Sequence, residues 1–239
     1  MSVLTLRLAG PLQSWGASAR FTRRTTESAP TKSGVIGLLA AASGVERGDD
    51  EALAALCALR FGVRIDQPGT RIRDFHTAHH GVSGASMPLS ERFYLADAVF
   101  VAALAGEAAV LAGLYAALRA PVYPPFLGRR SCPPAHPVEL GLHDGDSLHQ
   151  TLTDESWQAS PWYRKQRHSE GTVSLTVLRE AEEGEHDADF QRDQPLSFAA
   201  EQRRHAVRTV VSRTVDVPNP AATRRRPRHE PFDALEESA

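Results

Sequence analysis

The sequence has little cysteine, almost no lysine and no long apolar run. Cys57 and Cys132 are the only cysteines of 239 residues, which excludes a disulfide-rich scaffold and favours two free thiols in a reducing compartment. The longest uncharged apolar stretch, Val35 to Val45, has 11 residues, whereas a membrane-spanning helix needs about 20. Arg7 and Pro11 interrupt the apolar region that a signal peptide would require. We therefore expect a cytoplasmic protein without a membrane span.

The scarcity of lysine leaves arginine as the main basic residue. Of the 27 basic residues only Lys32 and Lys165 are lysines. Planar guanidinium groups suit bidentate phosphate contacts and stacking on bases, although a GC-rich genome would produce the same bias. The net charge of −2 hides segregation, since residues 1–45 carry five basic residues against one acid and residues 201–229 carry eight against two. A basic face of this kind indicates a polyanionic partner.

Hydrophobic periodicity predicts an α+β fold. Apolar residues alternate from Val3 to Leu8, as in a half-buried strand. An apolar stripe after Pro30 predicts a helix capped by Thr31 or Ser33. Further helices are predicted over Asp50–Arg60 and Glu107–Arg119, and further strands over Phe61–Ile65, Arg92–Leu104 and Val138–Leu142. Their order is the β-α-β-β-α-β of a ferredoxin-like unit, the fold of RNA-recognition motifs.

The same pattern divides the chain into three parts. Residues 1–145 are predicted to form the ferredoxin-like domain, with an insertion at about 67–91 that has no periodicity, and loops of this length inside a domain are usually functional. Residues 146–218 form a smaller β-rich part with strands over Thr172–Leu178 and His205–Val215. These strands can extend the first sheet or form a second lobe. Residues 219–239 contain almost no apolar side chains and are predicted to be a disordered tail.

Two loops near the N-terminus carry residues suited to bind nucleic acid. Trp15 follows Gln13 in a glycine-flanked loop, where an aromatic ring either stacks on a base or packs in the core. Thr31 to Gly34 precede the first predicted helix, whose unpaired N–H groups with Lys32 can bind a phosphate. An ordinary helix cap with a solvated lysine is the equal alternative.

A third loop, Tyr123 to Pro134, is stiffened by prolines and presents the ten N–H donors of Arg129 and Arg130. A loop needs no such rigidity for solubility alone. This loop is therefore interpreted as part of a binding site.

The histidines His76, His79 and His80 suggest a metal site or a general base. Their spacing matches no familiar zinc pattern, so neither a metal nor a cofactor is predicted. Metal-independent RNA cleavage needs a general base and a general acid. His76 with Tyr123 or Lys165 would supply them, but nothing in the sequence brings them together. Phosphate-binding loops, dinucleotide fingerprints and serine nucleophile elbows do not occur in the sequence, and no catalytic residue is assigned.

Four motifs in order resemble a known family. They are LAGPLQSWG at residues 8–16, PTKSGVIGLL at 30–39, RDFHT at 73–77 and LGRRSCP at 127–133. They are similar to the CasD subunits of type I-E CRISPR Cascade, in the repeat-associated mysterious protein superfamily. The similarity covers about the first 140 residues well and the remainder loosely.

This resemblance implies a ferredoxin-like, non-catalytic RNA-binding subunit. Such subunits hold the 5′ handle of the crRNA and cap one end of the backbone in antiviral defence. The segment 67–91 occupies the place of a thumb-like insertion that reaches over the guide towards the neighbouring backbone subunit. The implied partners are the crRNA, the backbone and large subunits and, only within the assembled complex, target DNA. The alternative is a metal-independent endoribonuclease that processes repeat RNA, as in a related subtype.

We combine these loops and the family motifs into one set of predicted RNA contacts. The set is Gln13, Trp15, Arg20, Arg23, Arg24, Thr31, Lys32, Ser33, Gly34, Arg73, His76, Tyr123, Arg129, Arg130, Ser131, Arg203 and Arg204. The tail arginines, Arg224 to Arg226, are expected to contribute little.

Overall fold

The computed structural model describes residues 2–16, 23–145, 147–199 and 203–223. Within them the strands are β1 (Ser2–Ala9), β2 (Leu12–Gln13), β3 (Arg23–Arg24), β4 (Arg60–Gln67), β5 (Thr70–His76), β6 (Ser90–Ala96), β7 (Val99–Gly106), β8 (Glu139–Asp144), β9 (Thr172–Glu180), β10 (Asp189–Ser197) and β11 (Arg204–Pro218). The helices are α1 (Lys32–Ala42), α2 (Asp50–Cys57), α3 (Ala108–Arg119), α4 (Leu148–Asp154) and α5 (Pro161–Gln166). No helix in these ranges is long and apolar enough to cross a membrane.

A seven-stranded sheet in the order β10-β11-β9-β4-β7-β1-β8 forms the centre of the fold. Its strands β4, β7, β1 and β8 are antiparallel neighbours. Helices α1 and α2 connect β1 to β4, and α3 connects β7 to β8. This is the connectivity of a ferredoxin-like β-α-β-β-α-β unit. The α+β, ferredoxin-like fold expected from periodicity is confirmed.

The C-terminal strands extend the same sheet. Strand β9 pairs with the free edge of β4, and β11 and β10 follow. Beyond β11, the side-chain amide of Asn219 donates to the carbonyl of Arg167 at 2.8 Å, and the Thr223 N–H donates to the carbonyl of His168 at 2.9 Å. Residues 219–223 are thus held against the segment after α5, which corrects the expectation of disorder for them. The rest of that tail lies outside the described residues.

The central sheet is covered on both faces. Leu4, Leu6 and Leu8 of β1 face a core formed with α1, α2 and α3. Val3 faces a second core that includes α4 and Trp157. The alternation in β1 predicts a half-buried strand, but a strand in the middle of a doubly covered sheet is buried on both sides.

The two cysteines lie on the side of the first core. Both are free thiols, as expected from their number and spacing. Burial raises the pKa of the Cys57 thiol to about 11, so this thiol is protonated and unreactive near neutral pH.

The insertion predicted at 67–91 is a β-hairpin. Strands β5 and β6 pair from Thr70 with Ala96 to His76 with Ser90, and they continue the β4–β7 ladder outwards from the central sheet. Short strands β2 and β3 complete a second sheet on β6. The sequence predicts one strand over Arg92–Leu104, but Asp97 (φ 56°) breaks it into β6 and β7.

A buried ion pair lies near the base of this hairpin. Arg64 donates to both carboxylate oxygens of Asp66 at 2.7 and 3.0 Å, and both side chains are fully buried. Arg64 also donates to the carbonyls of Leu152, Glu155 and Ser156. The pair therefore fixes the end of α4 and the segment after it against the central sheet, with its charges compensated by hydrogen bonds.

The hairpin loop Thr77–Leu89 adds nothing to the core, because its larger apolar side chains are exposed, including Val82 at 94%. We expect that replacing Thr77–Leu89 with Asn-Gly, a two-residue turn that suits antiparallel partners, shifts the melting temperature by less than about 3 °C. Circular dichroism of the purified variant measures this shift. Loss of a cooperative transition would show that the loop is a core element.

Candidate nucleic-acid interface

Four arginines surround a cleft beside the hairpin. Arg24 lies on β3, Arg92 on β6, and Arg129, Arg130 and Ser131 lie in the loop after α3; together they line a volume of about 490 Å³. Strands β3 and β6 run parallel with Arg24 opposite Arg92. The cleft thus joins residues that are more than 100 positions apart in the sequence.

The loop that carries Arg129 and Arg130 is held tightly. The Leu127 N–H donates to the Cys132 carbonyl at 2.7 Å, and the Ser14 N–H donates to the Leu127 carbonyl at 3.1 Å. Gly128 has φ +81°, and a Cβ at this position would overlap the Ser14 carbonyl. Only glycine accommodates both the backbone angle and this close approach.

The guanidinium groups of the cleft have no anionic partner within the part of the chain that the structure describes. No carboxylate of the described residues lies within 4.0 Å of Arg24, Arg92, Arg129 or Arg130. Arg129 stacks on the ring of Tyr94 at 4.7 Å and donates to the Arg24 carbonyl at 2.8 Å. Nε of Arg92 and Nη1 of Arg129 are buried, and neither has a hydrogen-bond partner among the described residues. Buried donors of like charge are costly unless an anion binds there.

The helix N-terminus predicted to bind phosphate already holds a carboxylate. Asp193 of β10, fully buried, accepts the Lys32 N–H at 2.7 Å. The same carboxylate binds Arg208 at 2.6 and 2.9 Å. The Lys32 ammonium is also buried and pairs with Glu180 of β9 at 2.8 Å. An intramolecular anion therefore occupies this helix end, as the helix dipole favours.

These contacts correct the roles expected of Thr31 to Gly34. Thr31 caps α1 by accepting the Gly34 N–H at 3.2 Å, and Ser33 is buried beside it. A Cβ on Gly34 would lie 2.8 Å from the Trp15 ring, so this glycine serves helix packing. These four residues therefore hold α1 in place, and the Lys32 ammonium, paired with Glu180, is not free to bind a phosphate.

Gln13 and Trp15 have structural roles as well. Both are fully buried. The Gln13 amide donates to the carbonyls of Leu8 at 3.1 Å and Ala98 at 2.7 Å, and its oxygen accepts from Trp15 Nε1 at 3.0 Å. Gln13 thus has no free edge for a base, and Trp15 takes the packing role of the two considered from the sequence.

Similarity to known proteins identifies the family of this chain. The family model described as CRISPR-associated protein (Cas_Cas5) matches residues 3–211. This chain belongs to that Cas5 family. The CRISPR system Cascade subunit CasD of Escherichia coli (strain K12) is 39% identical over a region that covers 59% of this chain and 70% of that protein. The resemblance predicted from the four motifs is confirmed.

Solved structures of similar chains support the assignment to the Cas5 family. A chain from a CRISPR RNA-guided surveillance complex is 31% identical with a TM-score of 0.73, and the match covers 98% of each chain. A second, described as a crystal structure of a Cas protein, is 35% identical with a TM-score of 0.66 and covers 92% of this chain and 97% of that one.

Other predicted contacts of this Cas5-family chain lie on the hairpin or on β3 beside it. Arg23 stacks over Phe93 at 5.3 Å. Arg73 stacks over Phe75 at 4.8 Å and lies 3.6 Å from Glu91. These side chains are on the face of β5–β6 opposite to Arg92, because Arg73 pairs with Phe93 rather than with Arg92. They are accessible but separate from the cleft.

The remaining predicted residues are spread over several elements. His76 on β5 lies 2.7 Å from Asp74, and no hydrogen bond between described residues joins it to Tyr123 or Lys165. Tyr123 and Arg203 line a groove along α1. Arg204 is exposed at the start of β11. Arg20 lies outside the described residues.

Arg92 is the residue of the cleft that sequence reasoning misses. It lies within a stretch rich in Phe, Tyr and Val and is read there as one polar position of a strand. The sequence signal for Arg92 is its spacing of two from Tyr94. This spacing places both side chains on the same strand face, while the apolar residues between and after them point to the other face. Without knowledge that β3 pairs with β6, the sequence cannot bring it to Arg24.

The Asp193 contacts lead to a stability prediction. We expect Asp193→Ala to lower the free energy of unfolding by about 3–5 kcal/mol, because Arg208 is left buried without its counterion and α1 loses its N-terminal acceptor. Urea denaturation followed by circular dichroism measures the change.

Asp216→Ala is the matched control. Asp216 is exposed on β11 and accepts one hydrogen bond from Ser174 at 2.6 Å. Its loss should cost less than about 1 kcal/mol. Equal losses from the two variants would contradict a special role for Asp193.

Proposed function

We propose that this chain is a non-catalytic, crRNA-binding subunit of a CRISPR surveillance complex of the Cascade type. The observation that carries the proposal is the cluster of Arg24, Arg92, Arg129 and Arg130, which has no carboxylate partner among the described residues. Phosphates are the anions that suit this cleft, since planar guanidinium groups contact them in bidentate fashion. Membership of the Cas5 family supports RNA as the polymer, and the proposal takes the 5′ handle of the crRNA as the bound segment.

The geometry favours a single strand over a duplex. The donors come from a loop, a two-residue strand and a hairpin, which converge on one cleft instead of lying along an extended surface. Single strands are bound by phosphate contacts and by splayed bases, whereas A-form duplexes are bound across their minor groove. Ser131 adds a hydroxyl that can donate to a phosphate or accept from a 2′-hydroxyl.

The hairpin supports a place within a larger assembly. Its outer part exposes Phe75 at 49%, Met87 at 49% and Leu89 at 50%. Large apolar side chains exposed on an extension are suited to contact another protein. We assign this surface to the neighbouring backbone subunit, with the chain capping one end of the backbone and contacting the large subunit and target DNA only within the complex.

Charge removal in the cleft tests the proposal. We expect the double variant Arg129→Ala/Arg130→Ala to bind a handle-containing single-stranded RNA more weakly. The slope of log K against log salt should fall by about 1.4, because each phosphate contact on a single strand contributes roughly 0.7. Fluorescence anisotropy at several salt concentrations measures both quantities.

Arg225→Ala/Arg226→Ala removes the same charge from the tail and is the matched control. It should leave the affinity and the slope close to those of the parent protein. Equal losses from both double variants would indicate non-specific attraction and contradict the cleft assignment.

Incubation with repeat RNA tests the absence of catalysis. Because the general base and acid considered from the sequence lie on separate elements, we expect labelled repeat RNA to stay full length with purified protein and a chelator. Denaturing gel electrophoresis detects any fragments. Site-specific fragments that disappear on His76→Ala would favour the alternative, a metal-independent endoribonuclease in which Asp74 orients His76.

A further inference from the structure

Strand β11 has neighbours on both sides over only part of its length. Strand β10 pairs with it from Arg204 to Val210, and β9 pairs with it from Val210 to Pro218. From Val211 onwards, therefore, no described strand lies on the β10 side of β11. We call the segment Ser212–Val217 the open edge, which at about 3.3 Å per residue is about 20 Å long.

The register shows which backbone groups point outwards along the open edge. The ladder between β11 and β9 has no register shift. At its ends the Ala181 N–H donates to the Thr209 carbonyl at 3.1 Å, and the Asn219 N–H donates to the Gly171 carbonyl at 3.0 Å. Because bonded pairs alternate along an antiparallel ladder, odd-numbered residues of β11 bond to β9 and even-numbered residues point away from it. The outward residues are Ser212, Thr214 and Asp216, and all three are exposed.

These outward backbone groups are almost unpaired within the described part of the chain. The Ser212 carbonyl accepts one hydrogen bond at 3.1 Å from the guanidinium of the adjacent Arg213. The N–H groups of Ser212, Thr214 and Asp216 have no hydrogen-bond partner among the described residues. A row of exposed, unpaired donors and acceptors is a template on which another strand can pair.

The two outermost strands of the central sheet are protected against such pairing. Strand β10 contains Pro195 and pairs with β11 through two register shifts, and the pairing of β8 with β1 shifts beside Thr5. Proline and bulges are devices by which edge strands avoid other chains. The open edge contains no proline, bulge or lysine, and its threonine and valines favour extended structure.

The charges around the open edge are mainly acidic. Asp216 is exposed, and so is Asp189 at the start of β10. Arg213, the basic side chain of the open edge, lies 3.4 Å from Glu185 and 3.8 Å from Asp187. Carboxylates repel a phosphate chain, whereas lysine or arginine on a neighbouring strand would pair with them. The open edge therefore suits a basic protein strand better than a nucleic acid.

We propose that the open edge pairs with an extended, basic segment of another subunit of the complex, which adds a strand to the central sheet. Strand addition gains affinity from main-chain hydrogen bonds and specificity from alternate side chains. This pairing rests on the proposed function only for the choice of a partner from the same complex. A second copy of this chain fits less well, because antiparallel pairing centred on Thr214 would place Asp216 opposite Ser212 and provide no opposite charge.

Amide hydrogen exchange, followed by mass spectrometry that resolves single residues, tests the pairing. In the purified free chain we expect slow exchange at Arg213 and Val215, whose N–H groups bond to β9, and fast exchange at Ser212, Thr214 and Asp216. In the complex purified with crRNA and the other subunits, exchange at these three outward amides should slow by about tenfold or more. Unchanged exchange there would overturn the inference. Slow exchange already in the free chain would also overturn it, since this chain itself would then cover the edge.

Thr214→Pro removes one outward N–H without breaking a bond to β9, and proline is tolerated at such edge positions. We expect a cooperative melting curve, unchanged affinity for handle-containing RNA and about tenfold less of the variant recovered with the other subunits by affinity purification. Thr214→Val keeps the N–H and is the matched control, with recovery equal to that of the parent. Asp216→Lys changes no backbone group and should also reduce recovery, because it repels a basic strand.

The outcomes separate the open edge from the proposed function. Normal recovery of Thr214→Pro or of Asp216→Lys would overturn the strand addition and leave the arginine cleft intact. If Thr214→Pro loses its cooperative melting curve, Asp216→Lys and the exchange measurement on the parent decide. A parent chain recovered with no other subunit would contradict the proposed function itself, and the partner of the open edge with it.

Discussion

The buried carboxylate of Asp193 connects the two halves of the molecule. It accepts the first N–H of α1 and pairs with Arg208, so β10, β11 and the helix converge on one group. A buried charge persists only where its partners are well placed. This requirement fixes α1 against the C-terminal strands, and α1 in turn lines the groove beside Tyr123 and packs on Trp15.

The arginine cleft differs from the Asp193 site in how its charges are compensated. Its guanidinium groups are brought together by β3, β6 and a rigid loop, without carboxylates from the described residues to neutralise them. Arg129 is supported by the Tyr94 ring, and the Gly128 turn fixes its backbone. The cleft arginines thus lack a carboxylate partner among the described residues, whereas Lys32 and Arg208 each pair with one. A binding site for an anion is distinguished from a structural ion pair by this difference in partners.

Local patterns accounted for much of the fold. The periodicities of α1 and α3 and the alternation in β9 depend on neighbouring residues, so they identified the helices and most strands of the ferredoxin-like unit. The strand break at Asp97 cannot be recognised from the sequence, because β-forming residues lie on both sides of it and the apolar pattern does not change. The short strands β2 and β3 were missed since two residues carry no period, and their formation depends on pairing with β6.

The site shows the same division between local and long-range information. Motifs in the sequence identified the family and selected Arg129, Arg130 and Ser131, because a rigid loop with arginines is recognisable from composition and spacing. Arg24 was selected by the excess of basic residues near the N-terminus. Burial could not be read in this way: Lys32 has the same local sequence whether its ammonium faces solvent or Glu180, which lies 148 residues away. The sequence by itself determined the elements and the residue types available for binding. Only the tertiary structure decided which charges are neutralised internally and which remain free, because pairing over such distances depends on how β9 and β10 pack against α1.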